Sequence, residues 1–199
     1  MSGVWVFGYG SLVSPESFGH TLGRGFERGV DFHPAVLRGY GRRWNYGVMS
    51  FVGRSEEPDG STREWSIVAL GLEASSDETV NGVIGWVTDD ELPSLDARER
   101  NYDRVDVTDL TEVAVVPSPV EGRIVTYVPQ PAPIEYYRAA RDRGEAAVEQ
   151  RYWDLVDGAF ADLGPGEQER YRTSTPPPDI PIVAMHRDGI PARHQVREP

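Results

Sequence analysis

Apolar and polar positions divide the chain into a strand-rich first part and a helical second part. Val4-Trp5-Val6-Phe7 is a continuous apolar, β-prone run and predicts a buried strand. Gly8-Tyr9-Gly10-Ser11 follows at once, and its two glycines allow a tight turn. Ser14-Pro15-Glu16 predicts a helix start, with Ser14 as N-cap and Pro15 at the first helical position. Gly19, Gly23, Gly25 and Gly29 keep that helix short. Residues 34–52 predict a strand or strand pair, and residues 53–64, polar and turn-rich, a surface loop. Residues 66–73 and 80–87 predict the next strands, with Asn81-Gly82 at a turn near the start of the second. Thr88-Asp89-Asp90-Glu91 is a capping box that opens a helix through about Arg100, with Pro93 splitting off its first turn. Further strands are expected at 105–107, 113–116 and 124–128.

Beyond Pro129-Gln130-Pro131-Ala132-Pro133 the period changes. From Ile134 to Leu163, Tyr136, Tyr137, Ala140, Val148, Tyr152, Leu155, Val156 and Ala159 recur at three- and four-residue spacing, which predicts two helices divided at Gly144. The segment from Arg172 carries Pro176-Pro177-Pro178, Pro181, Pro191 and Pro199 and reads as extended, with residues 182–185 laid against the body. Residues 1–172 are therefore expected to form one domain, with strands over about 4–130 and helices over 134–172, and residues 173–199 a proline-rich tail. Strands first and helices late argue for an α+β fold with a largely antiparallel or mixed sheet.

Composition removes several classes of chemistry. The 199 residues are 39% apolar and 26% charged, neither a disordered nor a membrane composition. No apolar run approaches the roughly 18–20 residues of a transmembrane helix. The first residues lack a basic segment, which argues against a signal peptide and for a cytoplasmic setting. The absence of cysteine removes disulfides, thiol nucleophiles and thiolate metal sites. All 20 basic residues are arginine, so Schiff-base chemistry and a P-loop lysine are absent too. A net charge of −12 disfavours binding to nucleic acid.

Two segments hold candidate chemistry. A strand ending in Phe7-Gly8-Tyr9-Gly10-Ser11-Leu12 beside a helix start can aim backbone N–H groups at an anion, although an ordinary tight turn explains the same residues. The third glycine of a dinucleotide fingerprint is missing. Leu95-Asp96-Ala97-Arg98-Glu99-Arg100-Asn101-Tyr102 is charge-alternating, as solvated helix faces are. Ser11 as a hydrolase nucleophile finds no support: Gly-Tyr-Gly-Ser-Leu is not the Gly-x-Ser-x-Gly elbow, and His20, His33, His186 and His194 sit in no partner motif. Nor do the histidines have zinc-ligand spacing. Asp89-Asp90 is explained by the helix N-terminus.

Taken together, these segments resemble the gamma-glutamylcyclotransferase superfamily, which includes AIG2-like and ChaC-type proteins. The resemblance rests on Val6-Phe7-Gly8-Tyr9-Gly10-Ser11-Leu12, on Leu37-Arg38-Gly39-Tyr40-Gly41-Arg42-Arg43-Trp44, on Val80-Asn81-Gly82-Val83-Ile84-Gly85-Trp86-Val87, on Leu95-Asp96-Ala97-Arg98-Glu99 with Tyr102 following, and on Val125-Thr126-Tyr127-Val128. It covers roughly residues 4–130. It implies a small mixed β-barrel with flanking helices, Glu99 as the catalytic carboxylate, and Tyr9, Gly10, Ser11, Leu12 and Tyr102 as substrate-binding residues. The implied reaction releases 5-oxoproline from a gamma-glutamyl amine, amino acid or peptide, with glutathione as one possibility. It places the chain in glutathione metabolism.

Such a reaction suits these residue types. The substrate's own α-amine attacks its γ-carbonyl, so both reactants are already in one molecule. One carboxylate suffices for the proton work. Neither cofactor nor metal is called for, and the only partner implied is the small-molecule substrate. Two other readings stay open at this stage: a barrel that binds a ligand or partner without turnover, and an amide hydrolase using the same pocket.

Overall fold

The computed structural model describes residues 2–113 and 121–189. Among these residues, five helices flank a mixed sheet of nine strands. The sheet runs β4 (Tyr102–Asp106), β6 (Ile124–Pro129), β1 (Gly3–Gly8), β3 (Thr62–Thr88), β2 (Phe32–Glu56), β5 (Thr111–Val113). Strand β7 (Ala146–Glu149) pairs with β3 and with β8 (Ile182–Val183), and β9 (His186–Gly189) pairs with β2. The β1–β6, β3–β7 and β7–β8 pairs are parallel; the others are antiparallel. The α+β class with a mixed sheet and flanking helices is the observed one.

Strand β1 lies at the heart of the sheet. Its apolar run is buried between β3 and β6, with Val6 and Phe7 fully inaccessible. That explains why it shows no alternation of apolar and polar residues. The chain then leaves the strand through Tyr9 and Gly10 into a 3-10 turn over Ser11–Val13 and helix α1 (Pro15–Leu22). Ser14 caps α1 by accepting from the Ser17 N–H at 3.2 Å, and Gly23 ends the helix in the left-handed conformation at φ 69°.

Several local expectations are corrected. Residues 53–64 are not a loop: β2 runs on to Glu56, a short turn follows, and β3 starts at Thr62. The two strands expected at 66–73 and 80–87 are parts of the single long β3. Bulges between Arg38 and Tyr40, Arg43 and Tyr46, and Gly47 and Val52 break the register of the β2–β3 ribbon, which is why its period looks interrupted. Asn81-Gly82 is no turn. Asn81 is buried within β3, and a side chain at Gly82 would collide with the Phe7 ring and the Gly8 carbonyl. Gly82 therefore lets β1 approach.

Helix α2 spans Leu92–Arg98, ending before Arg100. The capping box is half made: the Glu91 carboxylate accepts the Thr88 N–H at 3.0 Å and also takes Arg24 Nε at 2.5 Å. The stretch 134–163 is not wholly helical, because β7 separates α3 (Pro131–Asp142) from α4 (Gln150–Asp162). A further helix, α5, covers Glu167–Ser174. After it the chain returns to the sheet as β8 and β9. The strand expected at 113–116 is observed at Thr111–Val113, with 114–116 outside the described residues, as are His194, Pro191 and Pro199. Among the described residues no helix is long and apolar enough to cross a membrane.

Candidate functional site

The exit of β1, the end of α2 and the start of β4 meet at one small pocket. Its lining comprises Phe7, Tyr9, Gly10, Ser11, Leu12, Leu70, Glu99, Tyr102, Tyr127 and Tyr152. All six residues singled out from the sequence (Tyr9, Gly10, Ser11, Leu12, Glu99 and Tyr102) thus stand around one cavity. The cavity measures about 40 Å³, room for about three water molecules.

Glu99 is the residue that ends α2. Its N–H bonds the Leu95 carbonyl at 2.9 Å, and its carbonyl accepts the Tyr102 N–H at 2.8 Å. This tight turn brings positions 99 and 102 to the same cavity. The Glu99 side chain is only 14% exposed. Burial raises its pKa, and the positive charge of Arg98 partly opposes that rise. A carboxyl so placed is easier to protonate than a surface glutamate, which suits it to exchange protons with a bound molecule.

The turn after β1 lines the same cavity. The N–H groups of Ser11 and Leu12 open the 3-10 turn, where the first N–H groups have no partner within the turn. Gly10 gives the loop a close approach to helix α4: a Cβ there would stand 2.9 Å from the Tyr152 hydroxyl. Tyr9 is buried, and its hydroxyl donates to the Tyr127 carbonyl at 2.8 Å. Tyr102 stacks on Tyr46, ring centroids 4.3 Å apart. Burial and the nearby Glu99 carboxyl raise the pKa of Tyr9 well above that of free tyrosine, and burial does the same to Tyr102. Both phenols stay neutral at physiological pH.

No family model matches the chain. In sequence it is 26% identical over 179 residues to gamma-glutamylcyclotransferase 2-3 of Arabidopsis thaliana, covering 81% of each chain. Its fold matches a solved gamma-glutamyl cyclotransferase with a TM-score of 0.52 and 17% identity, over 89% of this chain and 90% of that one. A yeast gamma-glutamyl cyclotransferase specific to glutathione superposes with a TM-score of 0.54 and 15% identity, over 88% of this chain and 98% of that one. The chain is thus similar to gamma-glutamylcyclotransferases, in sequence to the Arabidopsis protein and in fold to the two solved structures.

The pocket also has components that the sequence reading passed over. Arg98 lies beside it and makes a fork of contacts. Its Nε lies 3.0 Å from Glu99 Oε1, and one Nη donates to Ser11 Oγ at 2.9 Å. The other donates to the Ser17 carbonyl at 2.9 Å and to Thr21 Oγ1 at 2.6 Å, both on α1. Ser11 Oγ is thereby an acceptor toward Arg98, which leaves its own hydrogen free to donate. Tyr152, read from its helical spacing as packing, is a pocket wall: its hydroxyl accepts the Leu70 N–H at 3.4 Å. Tyr127 adds another wall and donates to Asp96 Oδ1 at 2.7 Å.

Three histidines lie among the described residues. His33 Nε2 is 3.1 Å from the Val30 carbonyl, and its ring meets the edge of Trp5. His20 lies in the last turn of α1 and His186 on β9.

Proposed function

We propose that the chain is a gamma-glutamylcyclotransferase that releases 5-oxoproline from a gamma-glutamyl amine, amino acid or peptide. The observation that carries this reading is the position of Glu99: a largely buried carboxyl on the wall of a cavity that the Tyr9–Leu12 loop also lines. The name of the Arabidopsis relative and the shared fold support it.

In this scheme the glutamyl part enters beside residues 9–12. Its α-amine attacks its own γ-carbonyl carbon, and a C–N bond forms. Glu99 accepts the proton shed by the attacking nitrogen. Oxygen charge developing at the carbonyl is met by the N–H groups of Ser11 and Leu12 and by the Ser11 hydroxyl. The bond to the departing nitrogen then breaks, and Glu99 returns the proton to it. Ring closure is favoured because the substrate carries its own nucleophile. Tyr9 and Tyr102 hold the glutamyl methylenes against apolar ring faces.

The test is a panel of gamma-glutamyl amines, dipeptides and glutathione, with 5-oxoproline read by mass spectrometry for the parent chain and for Glu99→Gln. Release by the parent and its loss in Glu99→Gln is the expected result. Equal release by both would remove Glu99 from the reaction. A substrate with an acetylated α-amine separates cyclisation from hydrolysis, since a cyclotransferase leaves it intact.

A further inference from the structure

Arg42 is a cation that the fold buries completely. It lies on β2 opposite Leu72 of β3 and is 0% exposed. Its guanidinium donates to Thr175 Oγ1 at 2.8 Å and to the Asn81 carbonyl. It stands 4.8 and 5.1 Å from the ring centroids of Phe160 on α4 and Tyr171 on α5. Among the described residues its Nε–H has no partner, and no carboxylate bonds the group. The carboxylate that enters this network, Glu167, bonds the Asn81 amide at 2.9 Å and pairs with Arg170 at 3.0 Å. Burial pushes the Arg42 pKa down to about 10, so the group is still charged at neutral pH.

Such a cation is exceptional. Arginine is almost never fully buried without an ionic partner, because water solvates the charge better than a few neutral dipoles and ring faces do. The groups that hold Arg42 are neutral: a hydroxyl, a carbonyl and two aromatic rings. Its charge is left unmatched within the protein.

The place of this charge relates it to the pocket described above. The Asn81 carbonyl that accepts from it precedes Gly82, and Gly82 packs against the Phe7 ring and the Gly8 carbonyl. Phe7 lines the pocket, and Gly8 leads into the Tyr9–Leu12 loop. On β3, Leu72 opposite Arg42 and the pocket-lining Leu70 stand two residues apart on one face. The guanidinium therefore sits behind the exit of β1, outside the lining itself. Tyr9 registers it: burial and Glu99 raise the Tyr9 pKa, and Arg42 pulls the other way. Glu99 answers instead to Arg98. Inside a protein a charge acts beyond its contacts, because little solvent screens it.

We propose that Arg42 is a positioning residue for the substrate: its buried, unmatched charge holds an anionic carboxylate in the pocket, on the side of the Tyr9–Leu12 loop. It acts through its field and not by contact. The anion concerned is the α-carboxylate of a gamma-glutamyl group, so the proposal rests on the function proposed above. A carboxylate carries its charge from binding through to release, so Arg42 acts on binding and not on the chemical step.

5-Oxoproline and 5-oxoprolinamide share one ring, and only the first carries a carboxylate. Calorimetric titration of the whole chain is expected to show a preference of about tenfold or more for 5-oxoproline. Arg42→Gln keeps a donor for the Asn81 carbonyl and is expected to cut that preference to about twofold or less. Arg42→Met is a second neutral variant with the same expectation. Arg42→Lys keeps the charge and should keep the preference. A merely structural role would weaken both probes alike. In turnover, Arg42→Gln should raise KM by about tenfold and leave kcat and the acid limb of the pH profile in place. An unchanged preference in the neutral variants overturns the proposal, as does its loss in Arg42→Lys or a fall in kcat at constant KM. Such a result beside 5-oxoproline release by the parent leaves the cyclotransferase reading standing. A preference that depends on Arg42 in a chain releasing no 5-oxoproline supports the carboxylate site and overturns that reading, and binding of neither probe without release overturns both.

Discussion

Replacing Arg98 with methionine tests whether Glu99 is the proton carrier and whether Arg98 sets its ionisation. The guanidinium Nε stands 3.0 Å from Glu99 Oε1. Two unit charges about 4 Å apart interact by about 4 kcal/mol at an effective dielectric constant near 20. Solvent reaches the Arg98 side chain, 26% exposed, and weakens this. About 1–2 kcal/mol remains, which is roughly one pH unit. Burial already raises the Glu99 pKa and Arg98 holds it down, so removing Arg98 raises it further.

The base form is then reached only at higher pH. The acid limb of kcat/KM for 5-oxoproline release should move up by about one unit in Arg98→Met. Arg98→Lys keeps the charge and should leave the limb near its original position. It loses the planar fork to Ser11, Ser17 and Thr21, and its deficit should appear at the plateau of the profile. Carbon-13 titration of the Glu99 carboxyl reads the same shift in a variant too slow to assay. An unmoved limb together with an unmoved carboxyl titration would refute the reasoning.

Other outcomes follow from the same geometry. Glu99→Gln should be more stable than the parent at about pH 8 and equally stable at about pH 4, because only the parent must ionise a buried carboxyl above the unfolded value near 4.3; thermal unfolding at both pH values checks this, and a constant difference would count against it. Gly10→Ala should lower kcat/KM by about tenfold or more, because the new methyl meets the Tyr152 hydroxyl. Recovery in the Gly10→Ala, Tyr152→Phe double variant identifies that contact as the cause. Arg187→Ala leaves the buried Glu149 without the partner that ties β9 to β7. With Arg187 46% exposed, the cost should be about 1–2 kcal/mol, a fall in Tm of about 2–8 °C by calorimetry.

Much of the site was legible because its parts are contiguous in sequence. The turn after β1 is written in two glycines and a serine, and the pair Glu99 and Tyr102 spans one tight turn. What escaped depends on long-range pairing. Ala146-Ala147-Val148-Glu149 has helix-forming alanines, and only its place between β3 and β8 makes it a strand. Helix α5 buries little besides Tyr171 and so shows no apolar stripe. The two long strands looked like three or four because bulges and a polar hairpin end hid their continuity. Arg98 resembled a surface charge, since nothing local announces that Ser11, Ser17 and Thr21 converge on it.

The place of β1 in the sheet also fixes an order of assembly. The β2–β3 ribbon closes on itself through a short turn, so its register can zip up from neighbouring residues. Strand β1 is synthesised first, yet its partners are residues 83–88 on one side and 124–126 on the other. The segment that leaves β1 as Tyr9-Gly10-Ser11-Leu12 therefore gains its final position only after β6 has emerged. During synthesis this apolar strand waits for its β3 partner until residue 88 has emerged, and its other edge stays unpaired until residues 124–126 follow. A fusion or tag that occupies this strand early competes with the step that completes the pocket.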